Sequence, residues 1–126
     1  MKNAIISLIV FIGLLTRIYF LNRYILKLCD DIKIMANEIE MFLSANDKEN
    51  SYLKALELMN YLEEKDLVTS VYVNHSDFDT MRYETARLCV YIETDDKREA
   101  NASLHVIKYQ AETVQHLQKI GIDNIF

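Results

Sequence analysis

Residues 4–21 read AIISLIVFIGLLTRIYFL, and the rest of the chain takes its meaning from them. From Ala4 to Leu15 there is no charge, and Ser7 is the only polar side chain. Eighteen residues at a helical rise of about 1.5 Å reach about 27 Å, close to the hydrocarbon thickness of a bilayer. Lys2 bounds the run on one side, and Arg23 and Lys27 on the other. Arg17 stands near the end of the run, where a long side chain can carry its charge out to the headgroups. Tyr19, Phe20 and Tyr24 gather at the same end, as an interfacial aromatic belt does. A buried core helix is a rival reading, since the charge-free part is short, but such a run seldom opens a globular chain. A cleaved signal peptide is another. Arg17, Tyr19, Leu21 and Arg23 occupy the positions where a small-x-small cleavage site belongs, so the segment is read as uncleaved. Residues 1–22 are therefore expected to anchor the chain in the cell membrane as a single pass.

The side on which the body lies is argued both ways. Arg17, Arg23, Lys27 and Lys33 come after the start of the span, against Lys2 and the terminal amine before it, which favours a cytoplasmic body. A charged N-terminus leading into one apolar helix is also the layout of an uncleaved signal anchor, which would export the body. The side stays open.

The remaining chain, residues 23–126, is long enough for one small domain. Proline is absent and glycine occurs only at Gly13 and Gly121, a composition that favours long uninterrupted helices. All nineteen acidic residues lie from Asp30 onward; against ten Lys and Arg from Leu28 to the end they leave the body at −9, while the first 27 residues carry +4. Phosphate backbones repel such a body, so no nucleic-acid partner is expected. Cys29 and Cys89 make no disulfide framework and no C-x-x-C pair, and both read as small apolar packing residues.

Periodicity then divides the body. Leu21, Ile25, Leu28, Ile32, Met35, Ile39 and Phe42 recur at alternating spacings of four and three, a heptad seam that continues the apolar run without a breaker. One helix is predicted from Ala4 to Leu43. Its seam packs either on other helices of the same chain, the expected case, or on a second copy in a homodimer. Ser44–Asn50 is a polar break in which Asn46 or Asp47 caps a second helix, predicted over residues 47–73. Tyr52, Ala55, Leu56, Met59, Leu62 and Leu67 form its apolar side. Residues 68–73, VTSVYV, resemble a strand in isolation, but a solitary strand has no partner here, so the helix is carried through them. Ser76 and Asp79 have the spacing of a capping box for a third helix over 77–93, with Phe78, Met81, Thr85, Leu88 and Ile92 inward. After Thr94–Asp96 a fourth helix is predicted over 96–118 with Ala100, Leu104, Ile107, Ala111 and Val114 inward, stopped by Gly121. Ile122, Ile125 or Phe126 is expected to dock. The fold class is all-α: an N-terminal transmembrane helix continuing into an antiparallel four-helix up-down bundle.

The stretches Asn74–Asp79, Glu84–Leu88, Tyr91–Glu93, Asp96–Ala100 and the ending Ile122–Phe126 resemble a family of small bacterial proteins, frequent in clostridia, catalogued as domain of unknown function number 4363. The resemblance covers nearly the whole chain and includes its length and its N-terminal apolar helix. Members often carry tryptophan ahead of the histidine; here Tyr72 is the nearest aromatic residue. The resemblance implies a bacterial, single-pass, helical protein and no activity. Genes of the family tend to lie beside those of a multi-spanning membrane protein, which implies a membrane partner.

His75, Asp77 and Asp79 are the candidate site: an imidazole and two carboxylates on one loop suit zinc or manganese, but three ligands so close in sequence seldom make a whole site, and a helix cap is the expected role. Glu112 and His116 stand one helical turn apart, and His105 lies alone beside the apolar stripe. The paired Glu-x-x-His signature of di-metal bundles is missing, as are a nucleophile elbow and a phosphate loop. Asn74-His75-Ser76 and Asn101-Ala102-Ser103 match the glycosylation tripeptide, a pattern frequent by chance and idle in a bacterial protein. No cofactor is expected. The leading expectation is a non-catalytic, membrane-tethered interaction module, an accessory subunit of another membrane protein. A ligand-sensing bundle and a metal-binding bundle are the alternatives.

Overall fold

The computed structural model describes residues 1–67, 69 and 75–125, with backbone alone for residue 75 and residues 122–125. Four long helices account for nearly all of them: α1, Lys2–Ser44; α2, Lys48–Glu64; α3, His75–Glu93; and α4, Lys97–Ile125. No strand occurs among the described residues. The helices pack in a closed ring, α1 on α2, α2 on α3, α3 on α4 and α4 back on α1. Cross-helix contacts fix the directions. Glu38 meets Lys54 and Asp31 meets Tyr61 between α1 and α2, while Glu40 meets Lys108 and Asp30 meets Gln115 between α1 and α4. Both pairs therefore run antiparallel, as an up-down bundle requires.

α1 is one helix of 43 residues. Its apolar window, of mean hydropathy 2.3, is long enough to cross a membrane, and none of it is buried within the chain. Burial begins at Asn22 and Ile25 and continues through Leu28, Cys29, Ile32, Met35, Ala36, Ile39 and Leu43. The same unbroken backbone thus carries a bare apolar rod at one end and a core face at the other.

The far end of the bundle is built from two matching corners. Asn46 and Asp95 take the left-handed conformation, φ 57° and 60°, which Asn and Asp tolerate better than other residues bearing a side chain. At each corner the next two amides fold back on the helix just ended: Asn46 N–H on Leu43 O and Asp47 N–H on Phe42 O, then Asp95 N–H on Ile92 O and Asp96 N–H on Tyr91 O. Those are Schellman closures. Asp47 and Asp96 then cap the next helices, accepting from the Asn50 and Glu99 amides at 3.2 and 3.3 Å. The corners also hold each other. Lys48 reaches Asp95 at 3.2 Å, and Lys97 reaches Asn46 at 3.0 Å.

The corner residues repeat at an offset of 49, and the core keeps the same offset. Cys29, Ile32, Ala36, Ile39 and Leu43 correspond to Phe78, Met81, Thr85, Leu88 and Ile92; Ser51, Ala55, Leu58 and Leu62 correspond to Ala100, Leu104, Ile107 and Ala111. All are buried. Two helical hairpins with one burial register close on each other around a single core.

Several boundaries and faces depart from the sequence expectations. α2 ends at Glu64 with a turn at Lys65, short of the predicted 73; Asp66, Leu67 and Thr69 are helical, and the rest of the strand-like stretch lies outside the described residues. On α2 the buried positions are Ser51, Ala55, Leu58 and Leu62, while Leu56 is exposed and Leu67 is 77% exposed. The helix uses the stripe that meets both neighbours, and Leu56 and Leu67 fall outside it. α3 begins at His75, so Ser76 sits inside the first turn rather than at a cap, its carbonyl accepting from Thr80. α4 runs through Gly121 to Ile125; a lone glycine costs about 1 kcal/mol in a helix and does not by itself end one. The side chains of Ile122, Ile125 and Phe126, one of them expected to dock, lie outside the described residues.

Candidate functional site

Polar side chains are concentrated at the seams of α1 with α2 and α4. On the α4 side Gln115, itself buried, donates its Nε2 to Leu26 O at 3.0 Å and to Asp30 Oδ1 at 2.7 Å, and its Oε1 accepts from Lys33 Nζ at 2.6 Å. Two turns further from the apolar rod, Lys108 bonds Glu40. That bond holds the Glu40 carboxyl below the ordinary carboxylate range, and burial only partly offsets it. On the α2 side Lys54 bridges Glu38 at 2.7 Å and Glu57 at 3.1 Å, and the bond to Glu38 raises the Lys54 ammonium above its usual value. Tyr61 donates its hydroxyl to Asp31 at 3.0 Å; burial first, then that bond, raises the phenol. The Lys65 ammonium lies over the rings of Tyr24, at 6.0 Å, and Tyr61, at 5.5 Å.

The residues singled out in the sequence are dispersed. His75 opens α3, and its side chain lies outside the described residues. Asp79 accepts from Arg82 at 3.1 Å, and the same guanidinium grips Asp66 at 2.5 Å. Asp79 thus shares a clamp joining the end of α2 to the first turns of α3, and its carboxylate is already satisfied by a cation. Asp77 is half-buried in the first turn of α3, where a carboxylate suits the helix dipole. Glu112, His116 and His105 lie on the exposed side of α4. Among the described residues no group of three His, Cys, Asp or Glu side chains could hold a metal ion. Cys29 and Cys89 are free thiols. Burial pushes the Cys29 thiol up to about 12 and raises that of Cys89 as well, so neither is a ready thiolate.

Two hollows frame the bundle. At the far end a cavity of about 240 Å³ opens between the corners, lined by Leu43, Asp47, Lys48, Tyr91, Asp95 and Lys97 among others. It is a surface hollow over capped helix ends, and the core beneath it is apolar apart from Ser51, Thr85 and Ser103. At the other end, where α1 emerges from its apolar turns, a groove of about 540 Å³ runs between α1 and α4. It is lined by Tyr19, Asn22, Arg23, Leu26, Lys27, Asp30 and Lys119. Sequence reading missed this groove, because Lys119 comes from the far end of the chain and lies past the predicted end of the fourth helix. The clue that could have found it is the stretch Gln115–Ile120, which continues the α4 period towards the basic start of the body.

The model of one family, described as a domain of unknown function (DUF4363), matches residues 19–125. No curated protein and no solved structure matches the chain. With the bundle part of α1, the other three helices and the α1–α4 groove inside the matched span, this chain belongs to the family of domain of unknown function DUF4363.

Proposed function

We propose that the protein is a non-catalytic, membrane-tethered interaction module, in which the start of α1 spans the bilayer once and the bundle is presented at the surface to a membrane-protein partner. One observation supports this most: α1 is a single helix whose N-terminal part carries an apolar window with none of it buried by the chain, while its later turns form one wall of the core. An exposed apolar rod of that length is stable in hydrocarbon and unstable in water. Continuity of the backbone into the core makes the orientation of the bundle depend on that of the span, with no hinge between them. Tethering confines bundle and partner to one surface and raises their effective concentration, so a modest contact suffices. The acidic body then favours a partner with a basic face.

The test is crosslinking in native membranes with three chains: the parent, one with residues 1–22 replaced by an unrelated span, and one with Gly-Gly-Gly inserted after Leu26. The expected outcome is a discrete membrane-protein adduct with the parent that is weakened by the glycine insertion and by added salt. Equal adducts from all three chains would show the continuous helix to be irrelevant. No adduct from any of them, with a metal ion or small molecule bound to the purified chain, would replace this reading.

A further inference from the structure

Six cations of the body end on carboxylates: Lys33 on Asp30, Lys48 on Asp95, Lys54 on Glu38, Arg82 on Asp66, Arg87 on Glu84 and Lys108 on Glu40. Lys65 lies over the Tyr24 and Tyr61 rings, Lys97 bonds Asn46, and Arg98 stands exposed. Arg23, Lys27 and Lys119 end on none among the described residues, although the body around them carries an acidic excess. All three line the groove between α1 and α4. The one carboxylate among its described lining residues, Asp30, already accepts from Gln115 at 2.7 Å and has Lys33 at 3.8 Å, so it does little to neutralise them. Arg23 is held in place by Tyr19, donating to its hydroxyl at 3.0 Å with the guanidinium 5.8 Å from the ring centre. Asn22, which lines the same groove, gives an independent sign of a ligand. Asn22 is only 8% exposed, and its Oδ1 finds no hydrogen-bond donor among the described residues. Buried amides are normally satisfied, and turning this one over brings a polar atom of opposite kind to the same place.

We propose that this groove holds the headgroup of an anionic phospholipid, its phosphate between Arg23, Lys27 and Lys119 and its hydroxyls within reach of the Asn22 amide. The proposal rests on the membrane-tethered reading. The groove starts at Tyr19, inside the apolar run, so its mouth lies at headgroup depth when that run spans the bilayer. Basic side chains at that depth meet the negative surface potential of anionic leaflets, and guanidinium and ammonium groups are the usual partners of a phosphate. The bound lipid would tie α4 to the membrane surface as well as α1, and so fix the tilt of an otherwise acidic bundle above an acidic surface.

The full chain in neutral detergent micelles, titrated with short-chain phosphatidylglycerol or phosphatidylcholine and read by native mass spectrometry, tests this. Retention of phosphatidylglycerol over phosphatidylcholine is expected. Lys119→Gln and Lys27→Gln should each weaken it about fivefold, the effect of one basic group near an anionic surface. Arg98→Gln, which removes an exposed cation at the opposite end of the bundle, should leave it unchanged. Millimolar inorganic phosphate should not displace the lipid. Equal retention of the two lipids, or Lys119→Gln behaving as the parent, would overturn the proposal, and displacement by inorganic phosphate would make the groove a site for free anions instead. Flotation of the parent with vesicles separates the two levels: a chain that floats yet shows no preference loses this proposal alone, and one that does not float loses the tethered reading as well.

Discussion

Leu104 is one of the large fully buried side chains that α4 contributes to the core. It is 1% exposed, near the middle of the inward stripe of Ala100, Ile107, Ala111 and Val114. Its counterpart at the offset of 49 is Ala55, so the large side chain on one hairpin stands where the other has a small one. Leu104→Ala deletes three carbons. At about 0.8 kcal/mol for each buried methylene that is about 2.4 kcal/mol of lost transfer energy, and the cavity left behind brings the total to about 3–4 kcal/mol. For a domain of about 100 residues each kcal/mol moves the melting temperature by about 4–8 °C, so a fall of about 12 °C or more is expected. Leu104→Asp is worse, because an unpaired carboxylate must be desolvated in an apolar site, and that change should abolish cooperative melting. Tyr109→Ala on the same helix is the control; Tyr109 is 67% exposed, and its removal should stay within about 0.5 kcal/mol. The assay is far-ultraviolet circular dichroism of the full chain in detergent, with flotation on vesicles to check the proposed membrane insertion. If Leu104→Ala melts with the parent while Tyr109→Ala does not, the inward face of α4 has been placed backwards.

The remaining expectations are narrower. Cys89 takes the register place of Glu40 on the parallel helix α1, eleven residues and hence about 16 Å beyond Cys29, well outside the reach of a disulfide; the non-reduced chain should show two free thiols by mass, and iodoacetamide at neutral pH should label Cys89 before Cys29. Asp47→Ala removes the cap of α2 and should cost about 1 kcal/mol in denaturant titration, with Asp96→Ala similar at α4. The Glu40 carboxyl is lowered from 4.5 by its bond to Lys108, so its contribution is present above that value and lost as pH falls through the lower folded one. The melting temperature of Glu40→Gln should therefore fall less steeply than that of the parent in this acid range, and identical slopes would remove Glu40 from the account.

The reach of periodicity sets how much of this was legible in the sequence. Helix identity, the two corners and the inward faces of α1, α3 and α4 are local matters: a stripe of apolar residues every three or four positions, a polar break, a capping aspartate. Phe78, Met81, Thr85, Leu88 and Ile92 were all placed by spacing, and all are buried. On α2 the same reasoning chose Leu56 and Leu67 and overlooked Leu58, because that helix carries leucines on several sides and spacing does not say which stripe its neighbours leave open. Periodicity likewise does not tell how far a helix runs past a single glycine, so the end of α4 was drawn too early.

The apolar rod, the acidic body and four helices in up-down order are determined by the sequence itself, because each depends on residues a few positions apart. Only the tertiary structure decided which distant side chains meet: Lys48 with Asp95, Lys97 with Asn46, Gln115 with Asp30, and Lys119 beside Arg23 and Lys27. Those meetings depend on the axial register between helices. Register is set by packing the whole core at once, with every buried position of one hairpin finding its place against the other, and it leaves no trace in any short stretch of the chain.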